Sequence, residues 1–275
     1  MTMALFFPTD IKQGITGSDN FVFTYNRDKD FARYCRNNNI NWIENNNNGV
    51  LRGLLNRDDW FEKWDEYMYK PQISVDYSFA NFINLDEIKN LEKGFIIPKL
   101  LTKPSKRFQI GGTKIAWKYA ISFFEKRHKQ YMFNISKPSL SRESSSRLSP
   151  YIAWGNVSIR QIFQKALAYK NESNKRHLGA FISRLRWQAH FIQKFEMEHT
   201  MEHTIVNKGY QQLKKSVSEQ YQKAWREGQT GFPLVDASMR CLIETGYVNF
   251  RMRAMLASFF THILWQPWQA ARSPV

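Results

Sequence analysis

Along the second half of the chain apolar residues recur at three- and four-residue steps, which predicts helices over Ile115–Tyr131, Ser158–Tyr169, Gly179–Met197 and Val217–Trp225. In the third of these, Leu178, Phe181, Ile182, Leu185, Ala189 and Ile192 form one stripe, while Trp187 and Phe191 form a second on another side. A helix with two apolar sides is buried or walls a cavity. Further on, Pro233 suits a first helical turn, Asp236 favours its positive end and Gly246 sits where a left-handed cap would stop it, so 233–245 reads as one short helix. After the turn, Met255, Leu256, Phe259, Phe260, Ile263 and Leu264 repeat at helical steps, with Arg251 and Arg253 at the helix entrance.

The first quarter has a different pattern. Thr24 is placed to cap a helix running to about Arg36, which Asn37–Asn39 ends, and Ile40-Asn41-Trp42-Ile43 then alternates like a short strand, half of an α/β unit. Asn45–Gly49 reads as a turn, and Trp60, Phe61, Trp64 and Met68 form a helical stripe that closes the segment. Residues 69–113, with Pro71, Pro98, Pro104 and Gly111-Gly112, read as a connector, parts of which pack, since 45 structureless residues is long. The expected fold class is therefore α+β overall: a partial α/β segment over 1–68, a connector over 69–113 and an all-α multi-helix domain over 114–275.

The chain has 275 residues, 43% of them apolar and 15% aromatic, ample for a core. A net charge of +16 implies an anionic partner, with nucleic acid first, an anionic cofactor second and an acidic membrane surface third. Cys35 and Cys241 have no pairing pattern and read as free buried thiols in a reducing compartment. The N-terminus lacks a basic region followed by a long apolar run, and 255–268 is too short and too polar to span a bilayer, so the expected location is the cytoplasm, off the membrane.

Candidate chemistry concentrates in ESSSRLSPYIAWGNVSIRQ, where Ser145, Ser146 and Ser149 surround Arg147 just before a helix start at Pro150. Hydroxyls, helix N–H groups and a planar guanidinium suit a phosphate. Plain capping and turning explain the serines equally well, and Ser158 with Gln161 makes a capping box for the next helix. His199-Thr-Met-Glu-His203 fits a short zinc-peptidase pattern, but it lies in a tandem MEHTMEHT repeat without a third ligand, so no metal site is expected.

The order GQTGFPLVDASMRCLIETGYVNFRMRAMLASFFTHILWQPW, the Ser-Arg-Leu-Ser stretch and the run from Gln109-Ile110-Gly111-Gly112 through Tyr131 and Trp154 resemble the FAD-binding helical domain of the photolyase/cryptochrome family. The resemblance implies FAD, held by Tyr131, Ser145, Ser146, Arg147, Leu148, Ser149, Gln188 and Arg253, and blue-light-driven electron transfer for DNA photorepair or for signalling to a partner protein. It places Trp187, Arg184 and Phe250 at the lesion pocket and matches Trp268 to the middle of a tryptophan electron wire, with Lys215 near the position of the outer member. Where many dimer photolyases have a glutamate and an asparagine, this chain has Arg184 and Phe250, and Gln188 replaces a common arginine, which tilts the expectation toward signalling or another lesion. The family pattern also extends beyond both ends of the sequence, so a weakly held or absent flavin is expected, with enzymatic photo-lyase activity conditional on a complete pocket. The alternative is a flavin-free, nucleic-acid-binding remnant.

Overall fold

A computed structural model describes residues 30–43, 46, 48–74, 76–78, 81–91 and 105–272; Thr24 and the connector's Pro98–Pro104 stretch lie outside them. Helix α1 spans 30–37 and stops where Asn39 takes a left-handed conformation (φ 56°). The strand expected over 40–43 does not form, and among the described residues there is no strand, so the part of the chain that is described is all-α rather than α+β. The backbone turns back instead: Ile40 N–H donates to the Cys35 carbonyl, and Trp42 packs edge-on against Phe31 at 5.2 Å. An isolated alternating segment has no ladder to join, and its apolar residues find a helix to lie on.

Helix α2, Trp60–Tyr69, buries Trp60, Trp64 and Met68, as the stripe predicts, while Phe61 stays half exposed. Gly49 before it (φ 68°) is required by a close approach: a Cβ there would meet Trp64 Cδ1 at 2.6 Å. Helix α3, Leu85–Leu91, is the connector's own element. Helix α4, Thr113–Glu125, ends earlier than the periodicity implies, and the chain passes through a 3-10 turn, Arg127–Gln130, into the single turn α5, Tyr131–Asn134. Here the Arg127 and His128 side chains bond back to the carbonyls of Tyr119 and Phe123, the second of which a longer helix leaves to its backbone.

Helices α6 (Pro138–Ser144), α7 (Ser149–Ala153), α8 (Ile159–Tyr169) and α9 (Lys175–Met197) complete the larger core, in which Trp60, Trp64 and Met68 pack with Phe123, Phe124, Ile162, Phe163, Phe181 and Leu185. The Ser158–Gln161 capping box is present in both directions. Gln193, fully buried on α9, accepts from the Leu51 N–H at 2.7 Å and donates to its carbonyl at 2.8 Å, so one amide docks the extended 50–52 segment on the helix. Arg52–Glu196 (2.5 Å) closes the same seam, and Arg186–Asp65 (2.5 Å) ties α9 to α2.

Helix α10 (Glu219–Glu227), capped by Ser218 and ended at Gly228, leads to α11, Pro233–Thr245, which has Pro at its first turn and Gly246 (φ 64°) at its end, as the sequence pattern requires. Asp236 accepts from the N–H groups of Thr230 and Gly231, tying down the preceding loop. Helix α12, Phe250–Ser258, opens on Asn249 as its cap and runs into a π-helical turn, Phe259–Ile263. That turn breaks the expected stripe: Phe259 and Phe260 are buried with Trp225, while Ile263 is 65% exposed because the wider turn rotates it outward. Cys35 is buried as expected, whereas Cys241 is only half-buried, its sulfur 2.9 Å from the Arg142 guanidinium. No helix among the described residues is long and apolar enough to cross a membrane.

Two histidines couple this packing to pH. Burial lowers the pKa of His177, with His128 and Arg176 adding to it, and burial with Arg57 and Lys194 does the same at His190, both from an ordinary value of 6.5. The folded state therefore binds fewer protons than the unfolded chain, and stability is expected to drop as pH falls through 6.5 toward the lowered values. Melting temperatures at about pH 7.5 and about pH 5.5 test this; a midpoint unchanged or higher at the acid end would contradict it.

Candidate functional site

Between the larger core and the α11–α12 segment lies a cavity of about 530 Å3, within the range of small-molecule sites. Tyr131, Ser145, Ser146, Arg147, Leu148, Ser149, Arg184, Trp187, Gln188, Phe250 and Arg253 all line it, although they come from four different stretches of chain. Trp268 does not. It stands in the 3-10 turn Trp268–Arg272 and packs on the cluster of Trp225, Leu256 and Phe260. Lys215 donates to the Thr261 carbonyl at 2.5 Å and lies over the Trp265 ring.

The serine loop forms one wall. Arg147 sits in a left-handed conformation (φ 59°), strained for a residue with a Cβ by about 1–2 kcal/mol. It is held there from both ends: its Nε donates to Gln109 Oε1 at 3.0 Å, and Gln109 Nε2 donates to the Arg147 carbonyl at 3.0 Å. Its guanidinium lies over the Tyr247 ring, 3.9 Å from the centroid, and its two terminal nitrogens have no acceptor among the described residues. Burial lowers the Arg147 pKa, with Arg142 adding to the effect, and burial likewise lowers Arg253, whose Nε donates to the Val248 carbonyl. The Tyr131 phenol is pushed up to about 12 by burial, so it stays protonated and able to donate at neutral pH. Helix α7 is a single turn, too short for a large macrodipole, and the positive field comes from the arginines instead.

Arg147, Arg184, Arg251 and Arg253 line the cavity, and among the described residues no Asp or Glu lines it. Arg184 and Arg251 are exposed and make no ion pair among the described residues. Trp187, 48% exposed, is a wall residue rather than a core tryptophan, and with Phe191 and Phe250 it forms a row of rings 5.7 and 6.0 Å apart. Such a site is built for a ligand with an anionic part and a flat apolar part.

Residues 181–273 match the model of the FAD binding domain of DNA photolyase. The chain is 33% identical over 170 residues to a deoxyribodipyrimidine photo-lyase of Alkalihalophilus pseudofirmus, covering 62% of this chain and 35% of that protein. It is 34% identical over 134 residues to cryptochrome-1 of Arabidopsis thaliana, covering 46% of this chain and 20% of that one. Over these residues the chain is similar to members of the photolyase/cryptochrome family. Its fold also matches the crystal structure of an archaeal photolyase from Sulfolobus tokodaii with a TM-score of 0.61 at 21% identity, over 91% of this chain and 56% of that one. The chain thus spans about a third or less of these two curated family members.

Sequence reasoning passed over Tyr247, Gln109's pairing with Arg147, and Asn249, which caps α12 beside the cavity and donates to Ser141 Oγ at 2.6 Å. Tyr247 and Asn249 stand between a helix stop and a helix start in TGYVNF, and polar or aromatic residues in so short a turn were the available signal. The His199–His203 motif lies on a 3-10 turn, and no group of three His, Cys, Asp or Glu among the described residues could hold a metal.

Proposed function

We propose that this cavity binds FAD. The observation that carries the reading is an aromatic-walled cavity lined by four arginines and, among the described residues, by no Asp or Glu. In it Ser145, Ser146, Leu148 and Ser149 offer hydroxyl and N–H donors, Arg147 offers its two free terminal nitrogens to the diphosphate, and Tyr131 donates its phenol proton. Gln188 and Arg253 face the same ligand farther along. Trp187, Arg184 and Phe250 form the opening through which a DNA base would enter, and Trp268 serves as an electron relay outside the cavity. Bound flavin would supply light-driven one-electron chemistry, for repair of DNA or for signalling to a partner protein. Residues 114–275 are then the FAD-binding domain, 1–68 an antenna-like segment and 69–113 their connector, in a cytoplasmic protein.

Titration with FAD, ADP and riboflavin tests this. FAD and ADP should bind, and riboflavin, which lacks the diphosphate, about tenfold more weakly or worse, because the charged hydrogen bonds are lost. Equal affinity for FAD and riboflavin would remove the phosphate assignment.

DNA is the partner that the +16 charge favours. Duplex affinity should fall steeply with added salt and depend little on sequence, with little preference for ultraviolet-damaged strands, because Arg184 and Phe250 replace the usual lesion contacts. Fluorescence anisotropy across a salt series measures both, and binding that ignores salt would take DNA off the list.

A further inference from the structure

Arg127 lies next to the serine loop yet is not among the cavity-lining residues. Its Nε donates to Ser122 Oγ (3.1 Å), Nη1 to the carbonyls of Glu143 (3.4 Å) and Ser145, and Nη2 to the carbonyls of Tyr119 (2.6 Å) and Ser146 (3.3 Å). A guanidinium has five N–H donors, and here each has an acceptor inside the protein, so none is left for a ligand. The acceptors are all neutral, and burial lowers the Arg127 pKa, with nearby Arg147 adding to the effect. A desolvated cation held by carbonyls and placed near a second cation is a costly arrangement, and what it achieves is geometric.

An anion cradle needs N–H and O–H groups facing the ligand and carbonyls facing away. Arg127, which does not line the cavity, gathers the carbonyl of Glu143 at the end of α6 and those of Ser145 and Ser146 in the loop. The peptide that follows Ser146 is thereby fixed, and it is the one that enters Arg147 in its left-handed conformation. Gln109 holds the other end of that residue. We infer that Arg127 is the positioning residue of the phosphate cradle: it touches no ligand, and it sets the loop so that Arg147 and the serine donors face the cavity. This role rests on the FAD reading of the cavity.

Charge and geometry are separated by Arg127→Lys, which keeps the cation but cannot fork across five acceptors, and by Arg127→Met, which keeps the bulk and loses both. With the full chain and ADP as probe, both variants should bind about tenfold more weakly or worse. In the ligand-free proteins, amide hydrogen exchange at 145–148 should accelerate by about tenfold or more in both, while α9 amides exchange as in the parent. Parental ADP affinity in Arg127→Lys would show that charge suffices and overturn the proposal, as would parental affinity in Arg127→Met. If the parent itself fails to bind ADP, the cavity reading falls, and the exchange measurement still decides whether Arg127 holds the loop: unaccelerated exchange at 145–148 overturns that as well.

Discussion

Trp64→Ala is expected to cost about 3–5 kcal/mol of folding stability, the range for deleting a large aromatic from a core that cannot collapse. Trp64 is wholly buried, packs edge-on against Phe163 at 5.5 Å and lies under the Arg186 guanidinium at 5.1 Å. It also joins three parts of the chain, because Gly49 presses on it from the 48–52 segment while α8 and α9 enclose it. Trp64→Phe should lose much less, since the indole Nε1–H has no hydrogen-bond partner and its removal relieves a buried donor. Gly49→Ala should be destabilising in the parent, where the new methyl group meets the indole at 2.6 Å, and milder beside Trp64→Ala, where that space is empty. Urea unfolding of the two single variants and the double variant measures the coupling. Strictly additive losses would mean that the tryptophan and the glycine do not share one packing constraint.

That constraint marks the boundary of what the sequence could reveal. The Trp60–Met68 stripe, the Ser158–Gln161 box and the Pro233-to-Gly246 helix are local signals, each complete within one or two turns, and each is present in the structure. The strand at 40–43 fails for the opposite reason: alternation is local, but a strand exists only through a partner that the described residues do not supply. Gln193 gripping the Leu51 backbone 142 residues away leaves no trace in any window of sequence. The early end of α4 is equally hidden, because the Arg127 side chain just beyond it reaches carbonyls of two separate segments, at Tyr119 and Ser145.

The candidate site divides in the same way. Residue types that suit phosphate or aromatic ligands could be picked out one by one, and the family resemblance put them in order; the structure then brings all but Trp268 to one cavity. What remained invisible is how they are held. The short helix after the serine loop was expected to supply a positive end, and it is one turn long, so orientation of guanidinium groups replaces the macrodipole. Tyr247 as a platform and Gln109 as a clamp are chosen by three-dimensional fit to Arg147, across a separation of 38 residues in the case of Gln109.

Arg147→Ala should weaken ADP and FAD binding by about 1.5–3 kcal/mol, the scale of hydrogen bonds to a charged group, while helical content stays unchanged. The magnitude follows from the state of the side chain before any ligand arrives. Its Nε is engaged by Gln109 and its face is covered by Tyr247, so the fork is already oriented and its terminal nitrogens lack acceptors among the described residues. Little conformational entropy is left to lose on binding, and most of the interaction appears as affinity. Arg147→Lys should fall between parent and alanine, because an ammonium restores the charge without the Gln109 pairing or the planar fork. Ser146→Ala should cost less than either, since its hydroxyl is a neutral donor and already lies 3.4 Å from the Leu148 N–H. Calorimetric titration of the three variants ranks them, and an Arg147→Ala protein that binds ADP as tightly as the parent would show that the cavity's anion affinity lies with its other arginines.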